Sequence, residues 1–195
     1  EAHSEPDLVV VCVPPDSTAE IVIEQLRQHP SAFVTDVASV KAEIARQVAE
    51  SGLGERYVGS HPMAGREKGG PAAGRADLFF ARPWVICPRV ESSSEGAEFI
   101  RDLAIKVGAL PVVLSPEDHD QAVALVSHLP QLMSSALAAQ LTSGTEQSLG
   151  LSGQGLRDSS RIAASDPELW VQIISQNSKA LLPLVSSVRA DLERL

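Results

Sequence analysis

Leu8-Val9-Val10-Val11-Cys12-Val13, closed by Pro14-Pro15, is an unbroken β-rich apolar run, the pattern of a strand buried on both faces of a parallel sheet. Such strands need helices over them, and one is expected at once. Ser17 with Glu20 three residues on makes a capping box, Ile21, Ile23 and Leu26 supply apolar positions, and His29-Pro30 ends the element. The alternation then repeats: a strand over 32–37, a helix from Val40 to about Ser51 with Gly52 to Gly54 as its stop, and a strand over 57–60. After a long loop, a strand over 84–87, a helix over 95–107 and a strand over 110–114 complete the sheet on its far side. Residues 1–114 therefore read as an open α/β unit of the doubly wound, Rossmann-like kind.

From Pro116-Glu117-Asp118 the character changes. A stretch to Leu141 is rich in Ala, Leu and Val on nearly every face, and a helix apolar all round is buried all round. A turn-rich segment over 142–155 follows, and Asp166-Pro167-Glu168, an N-cap with proline at the first helical position, starts a helix running towards Leu195. The predicted fold class is α/β followed by all-α, with the second domain over 115–195. That helical half is too small and too apolar to stand alone, so it is expected to dimerise against a second copy of itself.

The chain has 195 residues, 44% of them apolar, which gives a real core, and a net charge of -9, which argues against nucleic acid or an anionic membrane as partner. No apolar run reaches ~18 residues, and the first residues lack the basic flank and apolar core of a signal peptide. Cys12 and Cys87 both lie in apolar strand-like runs and read as small buried hydrophobes in a reducing compartment, so cytoplasm is the expected location. A dinucleotide fold should open with Gly-x-Gly-x-x-Gly, whose glycines let backbone amides approach the pyrophosphate. The sequence has none: Gly52-Leu53-Gly54 lacks the third glycine, and Gly153-Gln154-Gly155 is read as preceding no suitable helix. The sheet thus reads as entering mid-fold, as if its first β-α-β unit had been removed.

Two Ser-His pairs close to prolines stand out, Ser60-His61-Pro62 and Ser127-His128-Leu129-Pro130. His61 falls where a strand runs out into a glycine-rich loop, at the sheet edge where open α/β folds keep their chemistry. Ser39 ends the preceding strand segment on the same carboxyl edge; it serves equally as an N-cap for the next helix or as a hydroxyl facing a ligand. His128 lies two residues before Pro130, whose ring should kink the apolar helix. Arg157 and Arg161 are four apart with Asp158 beside them, a shared face if this stretch is helical. No metal site is expected, because His119 and His128, nine apart on a helix, point to different faces. A Ser-His hydrolase fails for want of a nucleophile-elbow glycine pattern.

Taken in order, Leu8 to Pro15, Thr35-Asp36-Val37-Ala38-Ser39-Val40-Lys41, Gly59 to Lys68, His119-Asp120, Ser127 to Pro130, and Gly155 to Ala163 with Asp166-Pro167 and Trp170 resemble the prephenate/arogenate dehydrogenase family of tyrosine biosynthesis. The resemblance implies oxidative decarboxylation of prephenate to 4-hydroxyphenylpyruvate, with hydride passing to NAD or NADP and an aromatic ring forming. It implies His61 as acceptor of the hydroxyl proton and Ser39 as a hydroxyl that bonds substrate or orients His61. It brings His128 and Arg161 to the substrate, Arg161 on a carboxylate with Asp158 and Glu67 as ionic partners, and Val13, Pro14, Pro15 and Ser39 to the cofactor. Gln131 stands where many prephenate-using relatives have histidine, so it could as well serve the amino acid group of arogenate. Two other readings remain open: a non-catalytic dimerisation and ligand-binding module, and another dehydrogenase of the 3-hydroxyacid or 6-phosphogluconate type.

Overall fold

The computed structural model describes residues 5–65 and 74–195, and the chain divides into two compact units, the first ending at Gln121 and the second running from Ala122 to Leu195. In the first unit β1 (Leu8–Val11), α1 (Pro15–Gln28), β2 (Phe33–Asp36), α2 (Ala42–Glu50), β3 (Gly59–Pro62), β4 (Pro83–Cys87), α3 (Ser94–Lys106) and β5 (Leu110–Val113) alternate along the chain. β1 and β2 pair in parallel with Leu8 opposite Phe33, β3 and β4 pair antiparallel with His61 opposite Val85, and β4 and β5 pair in parallel. A single parallel bridge between Val34 and Tyr57 joins the two sheets. The predicted α/β alternation is thus present, with β3 starting two residues later than the apolar pattern placed it and carrying His61 inside the strand rather than past its end.

β1 departs from its sequence pattern. It is not buried on both faces: Val10 is 41% exposed, and Cys12 just beyond it is exposed, unlike the buried Cys87. Among the described residues β1 has β2 as its one strand neighbour, so its β-branched side chains are only half covered. Both thiols are free, and burial pushes Cys87 up to about 12.

The helix starts also moved. α1 begins at Pro15, whose fixed φ suits the first helical position, and Ser17 lies inside the helix with its N–H donating to the Pro14 carbonyl. Ser39 does not cap α2. The cap position is Lys41, and the helix mouth is closed from a distance by Asp120, which accepts from the Lys41 N–H at 2.8 Å and from the Ala42 N–H at 2.9 Å.

One face of the sheet packs Val58, Trp84, Ile86 and Ala109 against Ile100 and Ala104 of α3. The interior also holds a polar cluster. Lys41 and Asp36, neither with any exposed surface, form an ion pair, and the Tyr57 hydroxyl donates to Asp36 at 2.6 Å. Burial, then the Asp36 charge, holds the Tyr57 phenol neutral well above its usual range. Gly59 lets β3 pass this cluster: a Cβ there would sit 2.9 Å from the Tyr57 hydroxyl and 3.2 Å from Lys41 Cδ. Gly59→Ala is therefore expected to lose ~1–3 kcal/mol by overpacking, read as a lower urea midpoint with unchanged m.

A single helical run crosses residues 116–141 as α4 (Pro116–Val123), a π-helical turn (Ala124–His128) and α5 (Leu129–Leu141). Where the sequence led to the expectation of a proline kink, the run contains this π turn. Pro130 cannot donate and its ring crowds the Val126 carbonyl, so the turn before it widens and places His128 at its end. By length and composition the run could cross a membrane, although no apolar stretch in the bare sequence had reached that length. The run is not buried all round as its apolar composition suggested: Leu125, Val126 and Leu137 are exposed, whereas His119, Asp120, His128, Gln131 and Ser134 are buried.

The second unit continues with α6 (Glu146–Leu149), α7 (Gln154–Ser160), a 3₁₀ turn (Arg161–Ala164), α8 (Pro167–Gln176) and α9 (Ser178–Arg194). Gly153-Gln154-Gly155 does open a helix, the seven-residue α7, with Gly153 at its N-cap. The last helix of the sequence pattern is two helices divided at Asn177. Arg157 lies in α7, and Arg161, with αR backbone, follows its end and opens the 3₁₀ turn.

Candidate active site

Each predicted site residue of the first unit falls at the carboxyl end of a parallel strand or beside it. Val13 and Pro14 follow β1, Ser39 follows β2, and the Val37 N–H donates to the Val11 carbonyl at 3.3 Å, tying these two loops to one edge. Val13 and Ser39 are half-buried, Pro14 is exposed, and Pro15 is buried as the first residue of α1. Pro14 and Pro15 offer no backbone N–H to an anionic group at this edge.

His61 is half-buried on β3. Its Nδ1 lies 2.9 Å from Nε2 of His119, the rings meeting edge to face at 71°. His119 has no exposed surface, and its Nδ1 lies 2.8 Å from Asp120 Oδ1. Asp120 is also the cap of α2, so a hydrogen-bonded row runs from His61 through His119 and Asp120 to the helix mouth just beyond Ser39. Sequence reasoning missed His119 and Asp120 as site residues. The available signal was the His119-Asp120 pair itself, already one of the ordered segments that resemble the family, in the polar opening turns of a helix that becomes apolar further on. α4 brings both into the first unit although they lie past the last strand.

In the second unit His128 is buried, with Nδ1 3.0 Å from Asn177 Nδ2 and its ring edge-on to Trp170. Gln131 is buried, and its Nε2 donates to the Ile162 carbonyl at 3.0 Å, while the Ser134 hydroxyl donates to the Ser159 carbonyl at 2.7 Å. These two bonds fasten the turn that carries Arg161 to α5. Arg161 and Asp158 are exposed, and Asp158 Oδ1 accepts from Gln154 Nε2 at 2.7 Å. Glu67 lies outside the described residues.

An open depression of about 430 Å³ beyond β3, lined by Met63, Arg75, Leu78, Phe80 and Arg82, contains neither His61 nor His119. Its Arg75 is held by Asp77 at 2.9 Å, so the histidine row is the better candidate for chemistry. Among the described residues no group of three or more His, Cys, Asp or Glu side chains is placed to hold a metal ion.

The described residues form an α/β unit with paired loops at its carboxyl edge, followed by a helical unit, an architecture shared by nucleotide-binding proteins of more than one activity. Residues 1–113 match the nucleotide-binding domain of prephenate dehydrogenase and residues 115–195 its dimerization domain, so the chain belongs to the prephenate dehydrogenase family. It is 32% identical to the cyclohexadienyl dehydrogenase of Zymomonas mobilis, over 100% of this chain and 68% of that protein. It spans 48% to 54% of three further curated relatives. The solved prephenate dehydrogenase of Aquifex aeolicus in complex with hydroxyphenyl propionate and NAD+ superposes with a TM-score of 0.89 at 30% identity, over 98% of this chain and 68% of that one. The Synechocystis arogenate dehydrogenase gives 0.81 at 30% identity, over 96% of this chain and 69% of that one.

Proposed function

We propose that this chain forms the catalytic and dimerising part of an enzyme that oxidatively decarboxylates prephenate to 4-hydroxyphenylpyruvate with NAD. The observation that carries the reading is His61, held on β3 by a buried row of polar partners, in a chain whose two halves match the two domains of the family. The bound nicotinamide supplies a hydride acceptor. Val13, Pro14, Pro15 and Ser39 hold that ring at the sheet edge, and NAD is favoured because the Aquifex relative was solved with it. His61 accepts the hydroxyl proton as hydride leaves the same carbon, and loss of carbon dioxide lets the ring become aromatic. Ser39 hydrogen-bonds the substrate hydroxyl. His128 contacts the substrate, and Arg161 grips a carboxylate with Asp158 and Glu67 as ionic partners. Gln131 acts by holding the Arg161 turn.

Arogenate is the second substrate, forming tyrosine directly, and the likeness to an arogenate dehydrogenase supports it. The exposed apolar residues Leu125, Val126 and Leu137 on the long helical run support a homodimer through the helical domain. Two free cysteines support a cytoplasmic setting. The test is an assay of nicotinamide reduction with prephenate or arogenate against NAD or NADP; no turnover with any pair would overturn the proposal. In the same assay Arg161→Lys, which loses the planar fork, is expected to raise KM ~10–100-fold with a smaller change in kcat, and an unchanged KM would remove Arg161 from the substrate.

A further inference from the structure

We infer that His119 and Asp120 are positioning residues that fix which nitrogen of His61 carries its proton. The argument starts at Asp120, because both of its oxygens already accept backbone N–H groups at the mouth of α2, Oδ1 from Lys41 and Oδ2 from Ala42. Those donors have no lone pair to offer, so Asp120 acts here as an acceptor. Its contact with His119 Nδ1 therefore takes a proton from that nitrogen. A neutral His119 then has a bare Nε2, and the 2.9 Å contact requires His61 Nδ1 to be the donor. The proton of neutral His61 sits on Nδ1, and its Nε2 keeps the lone pair a general base needs. A protonated His119 would reverse the contact, donating to His61 Nδ1 and leaving the proton on His61 Nε2, the wrong tautomer for a base.

The arrangement also serves the step after proton uptake. When His61 Nε2 takes the hydroxyl proton, Nδ1–H still donates to His119, and no further proton needs to move. The imidazolium charge is stabilised through His119 by Asp120, as a buried carboxylate stabilises a catalytic histidine one hydrogen bond away in other enzymes. The row is rigid at its far end, since Asp120 is fixed by two backbone amides. Side-chain rotation at His119 is thereby restricted from both nitrogens.

The inference rests on His61 being the base, and its test separates the two claims. ¹⁵N-histidine NMR of the protein, with five histidines and His61 assigned by its loss in His61→Asn, should show Nδ1 protonated and Nε2 bare near neutral pH. His119→Ala should move the His61 proton towards Nε2 and lower kcat ~10–100-fold with KM within ~3-fold. His119→Gln, whose Oε1 reaches the same place and can accept from His61 Nδ1, should recover most of both. A wild-type spectrum with the proton on His61 Nε2 overturns the inference without any variant having to fold. So does His119→Ala with unchanged tautomer and turnover. Wild-type turnover in His61→Asn would instead remove His61 as the base, and with it the catalytic half of the inference, while the spectrum alone decides the tautomer.

Discussion

His61→Asn is expected to lower kcat by ~10²–10⁴-fold, the usual contribution of a positioned general base, while substrate binding changes little. Asparagine is the informative replacement because of what it keeps. Its amide reaches the place of the imidazole Nδ1 and can still donate to His119 Nε2, so the row to Asp120 and the cap on α2 survive. What it removes is the basic nitrogen alone. A fall confined to kcat, with an unshifted melting curve and an unshifted KM, is the signature of a lost proton acceptor. A fall in stability would point to a structural role for His61, and wild-type turnover would place the base elsewhere.

Lys41→Met is expected to cost ~3–5 kcal/mol of stability, because it strands the Asp36 carboxylate in the interior. Neither partner has any exposed surface, and Asp36 further accepts from the Ala38 N–H at 2.8 Å and from the Tyr57 hydroxyl at 2.6 Å. Those two donors cannot replace a buried cation. The double variant Lys41→Met/Asp36→Asn removes both charges and keeps an amide oxygen for the Ala38 N–H, with the amide NH2 facing the Tyr57 hydroxyl, which can turn to accept from it, so it should be less destabilised than Lys41→Met alone. Urea unfolding of the three proteins measures this; a double variant worse than the single one would show that the charges act independently. The same cluster sets an alkaline limit. Because burial, then Asp36, raises the Tyr57 phenol, its contribution is fully present below the unfolded value near ~10 and is lost as pH rises above it, the unfolded chain ionising first.

The two variants act on connected parts of one structure. Lys41 both closes the buried ion pair and donates its backbone N–H to Asp120, so the polar core under the sheet and the histidine row above it share a residue. Damage to the ion pair is therefore expected to reach kcat through the position of Asp120, whereas His61→Asn should leave stability alone.

Much of the first unit was written in local pattern. The β-branched run at Leu8–Val11 and the apolar turns of α1 and α3 place strand and helix without reference to distant residues. Helix ends were less legible, because their donors are satisfied by partners the local sequence does not contain. Ser39 looked like the cap of α2, and the cap is Asp120, 79 residues from Lys41 in the chain. β1 misled for a related reason: a β-branched run reports what a strand could bury, and burial depends on which neighbours are there to cover it.

The sequence by itself determined the alternation of strands and helices, the change to an all-helical second half, the ordered motifs of the family, and His61 as the residue to examine. Only the tertiary structure decided what His61 touches. His119 lies 58 residues away, and the sequence, though it marks His119-Asp120 as a family-like pair, carries nothing that brings it to His61. Its role arises because α4 folds back onto the first unit and sets its buried ring between β3 and the mouth of α2. Hydrogen bonds between side chains far apart in the chain depend on distances of a few tenths of an ångström, and no local pattern encodes them.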